Sequence, residues 1–235
     1  MDFSPTEPAI KRRAIDLLVP PFDKGLISTF VTGNQSVQQL IEDINNRYSS
    51  GCLKTSNENK LFRGGLLFIE GTVVGCFCHS KSDPYTHSTE ESLKKLLGGL
   101  KVISTEVTIY ELPKSIVIAK SALFLGYQVE RDDNYNGFEY FSYSMDRLAR
   151  EKGTATISSS MPNGKGMTLS YIFNGEFLGT FFPDDRKFES QEENVRQLLV
   201  TNPTANVHVS LLPEEMVNGQ APYGINLTEA WRSFH

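Results

Sequence analysis

Residues 67–78 read LFIEGTVVGCFC, and residues 171–182 read YIFNGEFLGTFF. Each stretch consists of two apolar runs around a two-residue turn, at residues 70–71 in the first and at residues 174–175 in the second. A turn of the Asn-Gly type between apolar runs is a strong local signal for a β-hairpin. Both stretches therefore predict a hairpin, and their likeness raises the question of a repeat.

Four landmarks recur in the same order about a hundred residues apart, with an offset of 104 residues at the hairpins and 100 at the last pair. They are RYSSGCLKT (47–55) with REKGTATIS (150–158), the two hairpins, STEESLKKLL (88–97) with SQEENVRQLL (190–199), and YELPKSIV (110–117) with SLLPEEMV (210–217). Matches that stay in order favour an internal duplication.

The third landmark predicts two capped helices. Ser88 is followed three residues later by Glu91, and Ser190 is followed three residues later by Glu193. A serine and a glutamate at this spacing form a capping box, in which each side chain accepts a hydrogen bond from a backbone N–H of the first turn. We therefore expect a capping box at the start of both helices.

Each copy is predicted to contain a helix, three strands, a helix, a strand and a helix. Tight turns between strands favour antiparallel sheets, so the predicted fold class is α+β, with the two units packed as a pseudo-two-fold pair. The predicted boundaries are an N-terminal extension (1–35), repeat 1 (36–128), a linker (129–138) and repeat 2 (139–235).

Both faces of each predicted hairpin are apolar, whereas a sheet that is wet on one side alternates apolar and polar residues. Helices cover one face, and we expect the sister repeat to cover the other; a homodimer contact is the competing explanation. A glycine inside a strand marks a bulge or a close backbone approach. A two-residue turn also pairs Leu66 with Gly75. The predicted repeat-interface residues are Leu67, Val74, Gly75, Tyr171, Leu178 and Gly179.

The composition narrows the function classes. Of the 235 residues, 39% are hydrophobic and 22% are charged, and the net charge is −5. An acidic balance argues against nucleic acid as a partner, because phosphate binding needs concentrated lysine and arginine. The sequence contains no run of about 20 apolar residues that would predict a membrane span, and its N-terminus does not resemble a signal peptide. We expect a soluble cytoplasmic protein without a membrane or nucleic-acid partner.

One cluster has the side chains of a metal site: Cys76, Cys78, His79, Asp83 and His87. The matching positions of the second copy hold Thr180, Phe182 and Pro183, which do not preserve those ligands. Two cysteines two positions apart on a strand share one face and are typical of apolar packing. We therefore predict no metal site. The sequence contains no Gly-x-Ser-x-Gly, P-loop or His-Glu-x-x-His motif, so we predict no catalytic residues and no cofactor, which argues against an enzyme.

Residues 36–126, and less closely residues 144–217, resemble a bacterial domain of unknown function found at the N-terminus of PatA-type response regulators. The likeness lies in a helix and glycine that lead to a strand, the hairpin with its spaced glycines, and the helix that follows. The domain would be present here as a tandem repeat. This resemblance implies a cytosolic signalling or scaffolding role in a bacterium and supplies no catalytic residue.

Two functions stay open at this stage. The first is a non-catalytic bacterial signalling or protein-interaction module with a protein partner. The alternative is a small-molecule-binding protein or enzyme whose pocket lies between the repeats, since pockets favour domain interfaces.

Overall fold

Two antiparallel β-sheets form the body of the protein in a computed structural model, which describes residues 26–32, 37–58, 62–80, 87–131, 134–162, 166–218 and 224–234. The strands are β1 (Leu26–Val31), β2 (Ser50–Asn57), β3 (Phe62–Ile69), β4 (Thr72–Ser80), β5 (Glu106–Glu111), β6 (Tyr127–Val129), β7 (Thr154–Ser160), β8 (Met167–Phe173), β9 (Glu176–Phe182), β10 (Lys187–Glu189), β11 (Asn206–Leu212) and β12 (Ile225–Asn226). The helices are α1 (Val37–Arg47), α2 (Thr89–Leu100), α3 (Lys114–Leu125), α4 (Gly137–Glu151), α5 (Glu192–Thr201), α6 (Glu214–Asn218) and α7 (Leu227–Ser233). The predicted α+β class with antiparallel sheets is confirmed.

The two sheets have the same strand order. The first sheet runs β1-β5-β2-β3-β4-β12, and the second runs β6-β11-β7-β8-β9-β10. In the first sheet, the edge strand β1 pairs with β5, and β2, β3 and β4 follow. In the second sheet, the edge strand β6 pairs with β11, and β7, β8 and β9 follow. This is the order that a duplication requires, although the duplication and the pseudo-two-fold axis themselves stay predictions.

The edge strands β1 and β6 were not expected from the sequence. Strand β1 lies inside the segment that we assigned to the N-terminal extension, and β6 begins at Tyr127, beside the predicted linker. Each pairs antiparallel with the last strand of its own half. The structural unit therefore begins one strand earlier than the predicted repeat.

The elements stack in five layers. Helices α1, α2 and α7 share a buried cluster with one face of the first sheet, in which Ile44, Leu96 and Phe68 are fully covered. Helices α4 and α5 cover one face of the second sheet in the same way. Helix α3 lies between the two remaining faces and contributes side chains to a cluster on each. The apolar core therefore lies in three places: outside the first sheet, outside the second sheet, and between the two sheets, where α3 lies.

Both hairpin turns have the geometry that their sequence predicts. The φ angles are 49° at Glu70 and 75° at Gly71, and 50° at Asn174 and 81° at Gly175. Positive φ at both central residues is the property of the type I′ turn, whose twist matches that of the flanking strands. The two predicted hairpins are therefore confirmed.

A β-bulge interrupts the first hairpin. Phe68 pairs with Val73, and the next pair is Leu67 with Gly75, so Val74 is an extra residue on its strand. Bulges of this kind bend a strand and increase its twist. The glycine at position 75 therefore lies directly beside the bulge.

The second hairpin carries a bulge at the matching place. Ile172 pairs with Phe177 and Tyr171 with Gly179, which leaves Leu178 as the extra residue. Gly179 has a φ of 141°, a backbone conformation that residues other than glycine rarely adopt. The two halves thus share an irregularity as well as a strand order.

The bulge overturns one predicted pair. Leu66 lies opposite Cys76 and not opposite Gly75, because the extra residue at Val74 shifts the register by one. The same shift places Val73 and Cys76 in one buried cluster although they are three positions apart. The simple period of two along a strand does not hold across this point.

One of the two predicted capping boxes is wrong, and the other forms in part. The Ser88 hydroxyl accepts a hydrogen bond from the Glu91 N–H at 3.2 Å, as predicted. Helix α5 instead begins after Gln191, which makes no side-chain cap, so Ser190 does not cap it. The Asn194 amide in the first turn donates to Glu189 at the end of β10, which ties the helix start to that strand.

The complete capping box is at α4, where we did not predict one. The Asn136 side chain accepts from the Glu139 N–H at 3.0 Å, and the Glu139 carboxylate accepts from the Asn136 N–H at 2.9 Å. The helix therefore begins at Gly137, inside the predicted linker.

The last described residues pack on the first sheet. Strand β12 pairs with β4, and Leu227 and Ala230 of α7 are buried in the cluster that contains α1. We had assigned these residues to repeat 2 by their position in the chain. In space, the second half ends near α6, and the chain returns to the first half.

A matched pair of substitutions tests the role of α3. Val117 of α3 is fully buried, whereas Val200 of α5 is 57% exposed. Val117→Ala leaves a cavity between the sheets, and we expect it to lower the free energy of unfolding by about 1–3 kcal/mol. Val200→Ala removes the same atoms from a solvent-exposed surface and should change the free energy of unfolding by less than about 0.5 kcal/mol. Chemical denaturation monitored by circular dichroism measures both, and equal effects would contradict a central position for α3.

Candidate functional site

The predicted repeat-interface residues lie on the two inner sheet faces, against helix α3. Leu67 and Val74 are fully buried in the cluster that contains Val117 of the helix. Tyr171 is fully buried and Leu178 partly buried in the cluster that contains Ala119. The structure therefore brings each pair against α3, which lies between the faces that we expected to meet directly.

The two predicted glycines make room for aromatic rings. A Cβ atom at Gly75 would lie 2.5 Å from the ring of Phe124, at the end of α3. A Cβ atom at Gly179 would lie 2.2 Å from the ring of Phe188, on β10. Contacts this short do not occur, so both rings pack over the bulges only because glycine stands there.

A lysine lies fully buried in the same layer. Lys120 of α3 has no exposed surface, and neither do Cys52 on the first sheet and Tyr171 on the second. The Lys120 ammonium nitrogen lies 5.8 Å from the centre of the Tyr171 ring, within the range of a cation–π contact. One side chain from each sheet and one from the helix thus form a buried polar cluster.

Burial governs the acid–base behaviour of this cluster. It lowers the pKa of Lys120 to about 8, with Cys52 opposing the change. Burial raises the pKa of the Cys52 thiol to about 11, which Lys120 and Lys54 partly offset. The pKa of Tyr171 is raised by burial and by Cys52. Burial favours the neutral form of all three groups, because a charge in an apolar layer loses its hydration.

The helix is also fixed by one hydrogen bond from the second sheet. The Thr156 hydroxyl donates to the carbonyl oxygen of Ala119 at 2.7 Å, in a fully buried contact. Tyr171 Oη, in contrast, is buried without a hydrogen-bond partner among the described residues. Lys120, Cys52 and Tyr171 are fully buried, so this cluster is part of the packed core and is not in contact with solvent.

Sequence reasoning missed Lys120, although a signal for it exists. Residues 114–125 read KSIVIAKSALFL, in which Lys120 is the only charge after Lys114 at the start of the stretch, and apolar residues stand on both sides of it. A helix that is apolar on all sides is a buried helix. A lysine in its middle is therefore a buried lysine.

The predicted cysteine cluster packs as an apolar strand face. Cys76 and Cys78 are buried in the outer core of the first sheet, beside α2. Within the described residues, no group of three or more histidine, cysteine or acidic side chains could hold a metal ion. Asp83 lies outside the described residues.

An aromatic surface lies at the far end of the second sheet. Tyr135 and Tyr143 stack with ring centres 5.4 Å apart and an angle of 17° between planes. Tyr143 is 43% exposed, and Tyr127 on the edge strand β6 is 54% exposed. We call Tyr127, Tyr135, Tyr143 and Arg147 the tyrosine surface.

Arg147 lies close to both Tyr143 and Tyr127 and is paired with Glu151. Its guanidinium Nε donates to both carboxylate oxygens of Glu151 at 3.1 Å. This pairing raises the pKa of Arg147, and Tyr143 and Tyr127 contribute smaller effects in the same direction. Tyr143 and Arg147 lie on α4, Tyr127 lies on the edge strand β6, and Tyr135 lies in the turn just before α4.

A cleft of about 480 Å³ lies between α4 and α5, and Phe138, Glu193, Arg196, Gln197, Val200 and Thr201 line it. Arg196 donates to Glu192 and to the Ser142 hydroxyl, at 2.6 and 2.8 Å. Its guanidinium is thus engaged at the cleft wall. This cleft lies outside the two sheets, away from the predicted interface.

Comparison with protein-family models, with curated proteins and with solved structures finds no match to this chain. The likeness to the PatA-type domain therefore rests on the sequence motifs alone. No helix within the described ranges is long and apolar enough to cross a membrane.

Lys120→Met tests the buried amine. The substitution keeps an unbranched side chain one atom shorter and removes the charge, so the variant should be more stable than the native protein at pH 7. Each pKa unit corresponds to about 1.4 kcal/mol, so a pKa near 8 in place of 10.5 predicts a gain of at most about 3–4 kcal/mol. Denaturant unfolding measures the gain.

The sign of the pH dependence follows from linkage. Between pH 8 and pH 10.5 the unfolded chain binds the lysine proton and the folded chain does not, so the native protein gains stability as pH rises. The advantage of Lys120→Met should therefore shrink through this window. Cys52 and Tyr171 are present in both proteins, so the difference between the two proteins reports Lys120 together with its coupling to Cys52.

Lys114→Met is the matched control, because Lys114 is on the same helix but half-exposed and paired with Glu70 at 2.8 Å. An exposed pair contributes about 0–1 kcal/mol, so this variant should show little change. A Lys120→Met protein that is less stable than the native one at every pH would show that the lysine stabilises the core.

Proposed function

We propose that this protein is a non-catalytic protein-interaction module whose contact site is the tyrosine surface. The observation that carries the proposal is the grouping of three tyrosines and an arginine around β6 and α4, two of the tyrosines being about half-exposed. Tyrosine and arginine are enriched among the residues that dominate binding energy in protein interfaces. The proposed partner is therefore another protein.

The physical reason is the low entropy cost of such side chains. A tyrosine presents a large apolar face and a hydroxyl while it restricts only two torsion angles on binding. Tyr143 is already held by its stack with Tyr135, so less freedom remains to be lost. Arg147 can contact a partner through its guanidinium face while Glu151 accepts from its edge.

The packing of the interior favours this function over the alternative. A small-molecule site between the repeats needs open space between the sheets. Residues of α3 such as Ile116 and Ala122 fill that layer and are buried there. The α4–α5 cleft is a second candidate for a small ligand, and a metabolite that raises the melting temperature would favour it.

The resemblance to the PatA-type domain supports a signalling context for the interaction. A domain without catalytic residues acts in signalling by holding a partner, and a rigid aromatic surface suits that role. A bacterial origin and a cytoplasmic location accompany this part of the proposal as expectations of the sequence.

Site-specific photo-crosslinking tests the proposed function. A photoreactive phenylalanine at position 127 or 143 should capture the same protein partner in cells of the native host. The partner is then purified and its affinity is measured for the native protein and for Tyr127→Ala/Tyr143→Ala. We expect about a tenfold or greater loss of affinity, because the anchor side chains of an interface dominate its binding energy.

Ile103 provides the matched control, since it is 75% exposed and lies after α2 in the other half of the fold. A photoreactive residue there should not capture this partner, and Ile103→Ala should not change the affinity. The tyrosine double variant should keep the native melting temperature within a few degrees, since its side chains are exposed. Unchanged affinity in that variant, or equal capture from position 103, would contradict the proposal.

A further inference from the structure

The last described residues form a separate unit on the first sheet. We call residues 224–234 the C-terminal strap. It contains a two-residue strand, a capping asparagine and a short helix. Its own Asn226 side chain accepts from the Glu229 N–H at 2.9 Å, so the helix start is satisfied within the strap.

The strap occupies a groove that fits it closely. Ile225 pairs with Val73 on β4, and the Leu227 N–H donates to the Gly71 carbonyl oxygen at 2.9 Å. A Cβ atom at Gly224 would lie 2.2 Å from the Thr72 side chain, so the chain enters the groove only with glycine at that position.

Side chains of the strap complete the outer core. Leu227 and Ala230 are buried in it, and Trp231 and Phe234 pack against it. Two lysines of the α2 region cover these rings: the Lys101 ammonium lies 5.8 Å from the centre of the Trp231 ring, and the Lys94 ammonium lies 5.7 Å from that of Phe234. The groove thus contacts a strand and an aromatic helix together.

The chain that leads to this groove comes from the other half of the fold. Helix α6 ends at Asn218 beside the central layer, and the strap begins six positions later at Gly224. Its contacts with the first sheet are those of one short strand and one helix face. A terminal segment held by a two-residue strand and a short helix opens at lower free energy than the sheet that it covers.

We propose that the groove on the first sheet accepts the strap of a second copy of this chain, so that two copies exchange straps reciprocally. The segment that fits the groove is the strap itself, and the same pairs form between chains as within one. Exchange of an identical element requires no new interface chemistry. The proposal concerns a different face from the tyrosine surface and stands independently of it.

Cysteine pairs across the β4–β12 register test the exchange in the full chain. One preparation carries Val73→Cys and the other carries Ile225→Cys, at positions that pair directly. The three native cysteines are buried. When the preparations are mixed at high concentration and oxidised, exchange places the two new thiols together in different chains. We expect a disulfide-linked dimer of mixed composition, increasing with concentration.

Two further measurements keep the result unambiguous. Thr72→Cys with Asn226→Cys, the next pair in the register, repeats the test if the first substitutions disturb folding. A chain that carries both Val73→Cys and Ile225→Cys locks its strap in place when oxidised, and it should remain monomeric by light scattering. The fluorescence of Trp231, the single tryptophan, reports whether the strap is docked in each variant.

The outcomes separate clearly. A mixed dimer that the locked chain cannot form establishes exchange. Folded variants of both pairs that give no link between chains at any concentration overturn the proposal. Dimers that the locked chain forms equally well also overturn it, because the copies would then associate through another surface.

Discussion

Helix α3 packs against both sheets at once, and its burial on two sides is the constraint on which the other features depend. Ile116 and Ala119 face the second sheet, while Val117 and Ile118 face the first. A helix needs one apolar stripe to pack on one sheet, and it needs apolar residues around its whole circumference to pack between two. The first half of the chain therefore supplies part of the core of the second half. The two halves share their hydrophobic stabilisation even though each has its own sheet.

This constraint also explains where the likeness between the halves ends. Their strand orders, turns and bulges agree, but α3 runs from Lys114 to Leu125 whereas α6 runs only from Glu214 to Asn218. The layer between two sheets holds one helix across its thickness, and α6, the helix at the corresponding place in the second half, is short. Its Met216 and Val217 fill the margin of the layer instead. The chain that would have continued the helix is then available to cross to the first sheet, where it forms β12 and α7.

Local chemistry was readable from the sequence, and contacts between distant elements were not. The turns at Glu70-Gly71 and Asn174-Gly175 depend on their own residues, so the hairpins were predicted correctly. The start of α5 depends on the contact between Asn194 and Glu189, which a search for Ser-x-x-Glu does not see. The position of Leu66 depends on a bulge, and one inserted residue changes every pair beyond it. The apolar pattern identified the repeat-interface residues as buried. It did not identify α3 as the element that covers them, because an apolar pattern shows that a face is buried but not what packs on it.

Lys120 shows how a core of this kind becomes specific. A helix with apolar residues on every side can rotate or slide between two sheets with little change in buried area, so hydrophobic burial alone does not select one arrangement. The Thr156 hydroxyl selects one axial position through the Ala119 carbonyl, and Lys120 selects one rotation, since other rotations turn its amine away from Tyr171. A buried polar residue that lowers stability and defines a unique packing is known from coiled coils, where a single asparagine fixes the register. In this protein, the buried amine of Lys120 both loses its hydration and makes the contact with Tyr171 that depends on the rotation of α3.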